Sequence, residues 1–455
     1  MTITKSTQLR LQPNLSVFSG SGYGWWILLC LFAQTACAQR SWTFAECLAF
    51  ARTNNYQIRQ AGVTQGKRTV QLRAAENLIL PVVDASVRTG GNWGFIIDPS
   101  TNVLSNRFNL GNQAGLNARL DLFNGFATAN QTKLRNQELV TATYGYQVSV
   151  NSVSLDVAYL FLQVLLAQEQ VKNSQQRSAY LAKQQQKVEA QVDKGILSGR
   201  TLLNLRSLVA TENLLGVYAT NNVEKAQFNL MQAMGLDLNG TILIDPVSIP
   251  DQWPTTVMVL DAVVATAATA LPDLKAAKAA IEVAQYTWQL QRADYMPSLA
   301  LTAQLATRTS NYRTQQFGEQ LRDNFNRQVG LSLYIPIFSR FMARTTNELA
   351  KLDILSAKLN YQQVDRELRH KVMSALIDYT SAAKKYGALQ VQYEAISEEY
   401  RYAEKMFELG GIDTIQYGLT RSQLIAAQSD LLQAKYDCFF KQKIINFYQG
   451  KPLLL

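Results

Sequence analysis

The chain has 455 residues, of which 47% are hydrophobic and 17% charged, and its formal net charge at pH 7 is +10. A chain of this length ordinarily forms two or three globular domains. Its 24 glycines and 10 prolines gather at a few places, however, and leave no clear linkers. The composition favours long, mostly solvated helices. The single histidine, His370, stands on a predicted helix, and the chain has no metal-ligand, phosphate-loop or nucleophile motif, so nothing supports a catalytic residue, a metal or a cofactor.

Residues 1–38 have the pattern of a secretory signal peptide. Lys5 and Arg10 precede the apolar run Trp25–Phe32, and Ala36-Cys37-Ala38 is a small-x-small cleavage site. The run is too short to span a bilayer. Removal of the signal peptide lowers the net charge from +10 to +8, because Lys5 and Arg10 are lost. Lipidation of Cys37 is an alternative, although the expected aliphatic residue before it is missing.

Cleavage leaves two cysteines, Cys47 and Cys438, on the first and last predicted helices. Export permits a disulfide between them, but two separate buried thiols are the preferred interpretation. No later segment is apolar enough in sequence to be expected as a transmembrane helix.

The first repeat, 39–240, begins with a helix that the capping box Thr43-Phe44-Ala45-Glu46 opens and that extends to about Asn77. Apolar and polar residues then alternate over 82–95 and over 113–123, which predicts two strands around a polar loop at 98–112. Trp93 and Phe95, near a strand end, are interpreted as membrane-interface anchors, with packing within the loop as the alternative.

A proline-free helix is predicted from Phe126 to Val192, about 100 Å long. Its apolar residues are spaced three and four apart, which predicts packing against other helices in a left-handed supercoil. These residues are Val150, Val153, Val157, Leu160, Val164, Ala167 and Val171. A tip turn at 194–199 leads to a helix that ends at about Met234.

The same pattern returns at an offset of 215 residues, which indicates a duplicated unit. The matching pairs are Gly115 and Gly330, Leu116 and Leu331, Phe123 and Phe338, and Gly195 and Gly410. An irregular connection at 241–258 precedes the second repeat, 259–455. There we predict a helix at 259–293, strands at 298–308 and 327–337 around a polar loop at 309–326, and a helix from Met342 to about Leu409. A tip turn at 409–413 and a helix to about Gln449 complete it. The apolar seam of this long helix, which corresponds to the apolar row of Val150 to Val171 in the first repeat, consists of Leu368, Val372, Ala375, Tyr379, Ala382 and Tyr386.

Four strands of about ten residues with one apolar face suit a tilted crossing of a bilayer. They cannot close a barrel, since the smallest closed barrels have about eight strands, and hydrocarbon does not tolerate open edges. The chain is therefore expected to oligomerise. A trimer provides twelve strands, a polar lumen and one continuous helical tunnel.

The order and spacing of these features resemble the TolC-like outer-membrane efflux family over about residues 43–450. The motifs that carry the resemblance are Leu120-Asp121-Leu122-Phe123-Asn124-Gly125, Ile335-Pro336-Ile337-Phe338, the two glycine turns and the ending Phe447-Tyr448-Gln449-Gly450-Lys451-Pro452. The resemblance implies an α+β membrane protein, a homotrimer with a 12-stranded outer-membrane β-barrel continued by a periplasmic α-helical barrel. It also implies contact with outer-membrane lipid, export of drugs, other small molecules or proteins, and docking to a periplasmic adaptor and an inner-membrane pump. Nucleic acid is not an expected partner.

The family's adaptor-docking tip maps to two turns of this chain. The residues are Lys194, Gly195 and Ile196 in the first turn, and Leu409, Gly410 and Gly411 in the second. Glycine allows close approach of a partner backbone. The alternative interpretation is that Gly195 and Gly410 terminate helices, and the two interpretations are compatible.

The family's charged periplasmic gate does not carry over to this chain. Ile412 occupies the position of the family's arginine, and Phe407 that of its tyrosine. The positions of its aspartates are occupied by Thr201, Gln416 and Leu419. Arg200 and Asp413 lie nearby, either as a substitute ring or bridge or as helix-end residues. A constriction built from Phe407, Gln416 or Leu419 would be apolar or neutral.

Two other classes of protein stay open at this point. A soluble periplasmic coiled-coil scaffold does not need apolar strand faces, and a stand-alone porin does not need long helices. The residues leave the exported substrate and the class of pump open.

Overall fold

The computed structural model describes residues 41–97, 102–106, 108–237, 242–247, 249–250, 260–311 and 315–453. The predicted signal peptide at 1–38, with Lys5, Arg10 and Cys37, lies outside the described residues, as do residues 251–258 of the irregular connection. Residues Trp42–Leu455 form one compact unit.

The first repeat consists of these elements: β1 (Ser41–Trp42), α1 (Phe44–Asn54), α2 (Tyr56–Glu76), β2 (Val82–Asn92), β3 (Phe95–Ile97), β4 (Leu104–Asn106), β5 (Asn109–Asn124), α3 (Ala127–Asp193) and α4 (Gly199–Met234). The second consists of β6 (Leu243–Ile244), α5 (Leu260–Ala270), α6 (Pro272–Gln291), β7 (Ser298–Ser310), α7 (Phe317–Asp323), β8 (Asn326–Tyr334), α8 (Met342–Glu408) and α9 (Thr414–Tyr448). Short 3₁₀ turns, Asn77–Ile79 and Arg292–Tyr295, precede β2 and β7.

The duplication extends to the backbone conformation. Helices α3 and α8 have 67 residues each and begin 215 residues apart. Helices α4 and α9 also begin 215 residues apart. Positive φ angles occur at the same offset, in the pairs Gly125 and Arg340, Phe126 and Phe341, Gly195 and Gly410, and Gly235 and Gly450. The two repeats therefore turn the chain at the same places.

Two predicted helices are each broken into two. The first ends at Asn54, and the Asn55 side chain then caps α2 by accepting hydrogen bonds from the backbone N–H groups of Gln57 and Ile58, at 2.8 and 3.2 Å. In the second repeat Leu271 is extended and Pro272 opens a new helix. A proline disfavours helical backbone in the residue before it and has no N–H for the helix ladder.

The predicted strand at 82–95 is too long and the one at 113–123 too short. Gly94 has φ +112°, which interrupts the extended chain, so β2 ends at Asn92 and β3 begins at Phe95. The predicted polar loop at 98–112 ends early, because residues Asn109 to Asn112 pair with β2 and lengthen β5.

The second pair of strands needs similar corrections. The strand predicted at 298–308 extends to Ser310, and the one predicted at 327–337 covers Asn326–Tyr334, before Pro336, whose missing N–H does not support strand pairing. The predicted polar loop at 309–326 contains a helix, α7, which opens with a capping box formed by Gln316 and Glu319.

Four antiparallel strands form the main sheet in the order β2-β5-β7-β8. The register places apolar residues opposite one another in rows, such as Val83, Ala118, Ala303 and Val329, and Leu120, Leu301 and Leu331. Polar residues form the alternating rows, such as Asp84, Asn117, Gln304 and Gln328. Within the described residues, the outer sides of β2 and β8 have no strand partner.

The long helices pack through the predicted seams. Val153, Val157, Val164 and Ala167 are buried in α3, and Leu368, Val372, Tyr379, Ala382 and Tyr386 are buried in α8. The main core joins α1, α3 and α4 through side chains such as Phe44, Phe161 and Met234. Cys47 and Cys438 are both buried and free, so the prediction of separate thiols is confirmed.

One window of α3 has the length and apolar composition of a membrane-spanning helix. The prediction that no segment after the signal peptide is apolar enough to span a membrane is therefore wrong. Fifty-six per cent of the window is buried inside the protein. Packing of α3 in the helical core accounts for its apolar character.

Candidate functional site

The two tip turns have the same hydrogen-bonded geometry. In the first, Gly195 has φ +73°, its N–H donates to the Val192 carbonyl at 2.9 Å, and the Ile196 N–H donates to the Gln191 carbonyl at 2.9 Å. This pair of bonds is a Schellman motif, which satisfies the last carbonyls of a helix.

The second turn repeats this arrangement. Gly410 has φ +74° and donates to the Phe407 carbonyl at 3.1 Å, and Gly411 donates to the Met406 carbonyl at 2.7 Å. Both glycines therefore terminate long helices, in agreement with one of the two interpretations of the sequence.

The return helices are capped at equivalent positions. The Ser198 hydroxyl accepts from the Thr201 N–H at 3.4 Å, and the Asp413 carboxylate accepts from the Gln416 N–H at 2.8 Å. Each cap satisfies one backbone donor at the start of a helix. Asp413 thus acts as a helix-end residue in this structure, and its side chain remains exposed.

The surface of the tips is open and partly apolar. A Cβ added at Gly195 or Gly410 would meet no atom within 4 Å, so only the backbone angle restricts these positions within the protomer. Beside them, Ile196 is 67% exposed and Leu409 is 82% exposed. The exposed Lys194 completes the first turn, and Gly411 in the second lies against Met406.

An open cleft of about 790 Å³ lies between the two turns. It brings together four of the six candidate gate residues: Arg200, Thr201, Phe407 and Asp413. Gln416 and Leu419 are exposed on α9 but do not line the cleft. The Thr201 hydroxyl lies 3.1 Å from the Ser198 hydroxyl, so it belongs to the capped turn.

A cluster of aromatic and polar side chains lies behind the cleft and was not recognised in the sequence. Its centre is Tyr417 of α9, which is 2% exposed. The ring of Phe407 stacks on Tyr417, with centroids 4.6 Å apart and planes inclined by 12°. Phe407 is therefore a packing residue as well as a cleft residue.

Hydrogen bonds connect this cluster across three helices. The Tyr417 hydroxyl lies 2.9 Å from that of Tyr400 on α8 and 3.4 Å from that of Tyr180 on α3. Both Tyr180 and Tyr400 donate to the Glu404 carboxylate. We call Tyr180, Tyr400, Glu404, Phe407 and Tyr417 the tyrosine cluster; it joins the first repeat to the second near the tip.

A buried arginine next to the cluster makes a cation–π contact with the ring of Tyr180. Arg421 is 5% exposed, and its guanidinium lies 5.6 Å from the centroid of that ring. Burial raises the pKa of Tyr180, Tyr400 and Tyr417 above the ordinary value of 10. The three hydroxyls are therefore protonated donors at neutral pH.

A sequence signal for the cluster does exist. Aromatic residues recur every seven positions along α8, at Tyr379, Tyr386, Tyr393, Tyr400 and Phe407. A heptad spacing places them along one side of the helix. Within the described residues, no group of three or more His, Cys, Asp or Glu side chains is arranged to hold a metal ion.

Comparisons with known proteins agree with this architecture. A family model described as outer membrane efflux protein matches residues 48–236 and 263–439. The alkaline protease secretion protein AprF of Pseudomonas aeruginosa is 25% identical over 183 residues, which are 39% of this chain and 36% of that protein. The match thus spans about a third of that relative's length.

Two solved structures share the fold. A crystal structure of CusC matches with a TM-score of 0.76 at 16% identity, over 90% of this chain and 92% of that one. The Campylobacter jejuni CmeC outer membrane channel matches with a TM-score of 0.73 at 17% identity, over 100% of this chain and 95% of that one. The long helices and the four-stranded sheet are therefore the fold of known membrane channels.

Proposed function

Because this chain belongs to the outer membrane efflux protein family, we propose that three copies of it form the outer-membrane exit duct of a tripartite efflux or type I secretion system. The observation that carries the proposal is the four-stranded sheet, with one apolar face and two unpaired edges, joined directly to two 67-residue helices. The duct conducts its cargo passively.

The apolar rows of the sheet support insertion into lipid. Val83, Val87, Val329, Leu331 and Leu333 are each more than half exposed in the single chain. Exposed apolar patches of this kind mark contact with a membrane or with another protein. In a twelve-stranded barrel these rows face lipid and the polar rows enclose the lumen.

The helical tips support docking to a periplasmic adaptor that joins the duct to an inner-membrane pump. Ile196 and Leu409 present apolar side chains beside glycines whose Cα atoms a partner backbone can approach. AprF is a protein of alkaline protease secretion and CmeC an outer membrane channel. The cargo class proposed here, small molecules or proteins, includes the protein secretion for which AprF is named.

The stoichiometry and the conducting role are tested on the protein purified from outer membranes in detergent. Native mass spectrometry should give a mass of three mature chains, and the same preparation should form ion-conducting pores in planar bilayers. A stable monomer recovered from the soluble periplasmic fraction would contradict the proposal and favour a scaffold. Full export in cells that lack any adaptor would favour a stand-alone porin.

A further inference from the structure

Two arginines lie in one row of the polar sheet face, near the end of the sheet farthest from the long helices. Arg88 of β2 is opposite Gln113 of β5, and Gln113 is opposite Arg308 of β7. Both arginine side chains are exposed. Because neighbouring strands are about 4.8 Å apart, the two Cα atoms are about 10 Å apart. Two long side chains can bring their guanidinium groups together over Gln113 across that distance.

The charges of these two arginines are not balanced locally. On the same face, Asp84 accepts a hydrogen bond from the Asn117 amide at 2.9 Å, and Arg119 pairs with Asp121 at 3.0 Å. In the part of the chain that the structure describes, no carboxylate lies within 4 Å of the guanidinium of Arg88 or Arg308. The row therefore has two uncompensated positive charges per protomer.

The sheet surface next to this row is hollow. Gly90 pairs with Gly111, so two adjacent strands lack side chains there. A Cβ added at Gly90 would meet nothing within 4 Å. The hollow has a volume of about 340 Å³, and Arg88, Arg308 and Gln113 lie along its lining. It has room for a multivalent oxyanion together with water.

We propose that Arg88, Gln113 and Arg308 form a binding site for multivalent oxyanions, bearing phosphate or carboxylate groups, at the outer end of the lumen. Guanidinium groups bind such oxygens through paired, charge-assisted hydrogen bonds, and the Gln113 amide provides a further donor. The location inside a lumen rests on the proposed function. In a trimer, six guanidinium groups encircle the exit, and anionic cargo is retained there before release.

The test measures binding of tripolyphosphate to the purified trimer by isothermal titration calorimetry at low ionic strength. The wild type should bind, and the variant Arg88→Gln/Arg308→Gln should lose about tenfold or more in affinity, since it lacks the charge-assisted hydrogen bonds of both guanidinium groups. Higher salt should weaken binding to the wild type, because the site is exposed. The matched control is Arg119→Gln/Asp121→Asn, which removes a balanced pair from the same face and should bind like the wild type.

Lack of binding to the wild type, or equal binding by the double glutamine variant, would overturn the proposal. Native mass spectrometry checks that each variant is a trimer. If the double variant does not assemble, Arg308→Gln alone is titrated, with the same expected direction. A parallel bilayer recording, with tripolyphosphate added on the barrel side, separates the two proposals. If the pores conduct ions but tripolyphosphate does not block them, the proposed anion site is contradicted and the proposed duct is not. If the trimers bind tripolyphosphate but do not conduct, the proposed duct is contradicted.

Discussion

At the scale of single residues, the most informative side chains are those of the tyrosine cluster. Tyr417 combines a ring stacked on Phe407 with a hydroxyl that meets those of Tyr180 and Tyr400. A buried hydroxyl must be hydrogen-bonded to avoid a desolvation cost, and Tyr417 is 2% exposed. The cluster therefore holds α3, α8 and α9 together near the tip through bonds whose loss can be measured.

Replacing Tyr417 by phenylalanine keeps the stacked ring and removes the hydroxyl. We expect the tip to lose about 1 kcal/mol of local stability, because the hydrogen-bond contacts of the Tyr417 hydroxyl with those of Tyr180 and Tyr400 are removed, while these two keep Glu404 as acceptor. Amide hydrogen exchange of the helix ends near the tip should become about fivefold faster. Tyr402→Phe is the matched control, since Tyr402 is on α8 and 64% exposed. Equal exchange in both variants would contradict the structural role of the cluster.

The tyrosine cluster also predicts a dependence of tip stability on alkaline pH. Burial raises the pKa of Tyr180, Tyr400 and Tyr417 above the ordinary value of 10. Groups with a raised folded-state pKa contribute stability that is complete below the unfolded-state pKa and is lost as the pH rises through the folded-state value. The protection factors of the tip amides, which are corrected for base-catalysed intrinsic exchange, should therefore fall above pH 10, and this fall should be smaller in Tyr417→Phe.

Asp413 permits a test of the gate, because its charge and its capping role can be separated. Asparagine caps a helix as well as aspartate does, so Asp413→Asn should preserve the start of α9 and remove the charge. We expect the ion selectivity of the trimer in planar bilayers to change little, because Thr201, Gln416 and Leu419 supply no carboxylate ring. Loss of a strong cation preference in this variant would show instead that Asp413 forms such a ring.

At the scale of elements, the sheet shows how two alternating patterns define two surfaces. Each row across β2, β5, β7 and β8 is either mostly apolar or mostly polar, because neighbouring strands are paired in register. A shift of one residue in any strand would place its polar side chains among apolar neighbours. The sheet of a single chain thus already has one mostly apolar face and one mostly polar face.

This separation predicts opposite outcomes for arginine at adjacent positions in the middle of β5. Leu116 lies between Ala85 and Leu305, and Asn117 lies between Asp84 and Gln304. Leu116→Arg should destabilise the membrane-inserted protein by about 2–4 kcal/mol per protomer. Asn117→Arg should have little effect, because its side chain enters the polar face near Asp84. Urea unfolding in lipid vesicles measures both, and equal losses would contradict the assignment of the faces.

At the scale of the whole molecule, the duplication gives the duct two similar tips per protomer. Both turns end with glycine in the left-handed region, and both leave open space around that glycine. Helix termination needs only a residue that tolerates positive φ, whereas close docking also needs the missing side chain. Substitutions that separate these two requirements therefore test the assembly with an adaptor.

Asparagine and valine at position 410 make this separation. Asparagine tolerates the left-handed conformation and valine does not. We expect Gly410→Asn to form normal trimers, to be inserted in the outer membrane and yet to lose export, since its side chain blocks a docking backbone. Gly410→Val should also distort the turn. Cross-linking to the adaptor and an export assay measure the outcome, and full export by Gly410→Asn would show that the glycine only ends the helix.

The sequence by itself determined the features that depend on short-range pattern. Period-two alternation marked the four strands and their apolar faces, heptad spacing marked the seams of α3 and α8, and the offset of 215 marked the duplication. Local chemistry also indicates the helix break at Pro272, although the apolar pattern around it predicts one continuous helix. Strand ends were less accurate, because pairing of Asn109 to Asn112 depends on a partner strand and not on their own propensity.

Only the tertiary structure decided which distant side chains meet. The hydroxyls of Tyr180 and Tyr417 are 237 residues apart in sequence, and Arg88 and Arg308 share a row because β5 lies between their strands. Local propensity extends over a few residues, whereas these contacts depend on how whole helices and strands pack. The contacts within the tyrosine cluster, the cleft between the tips and the arginine pair therefore depend on how both repeats fold against each other.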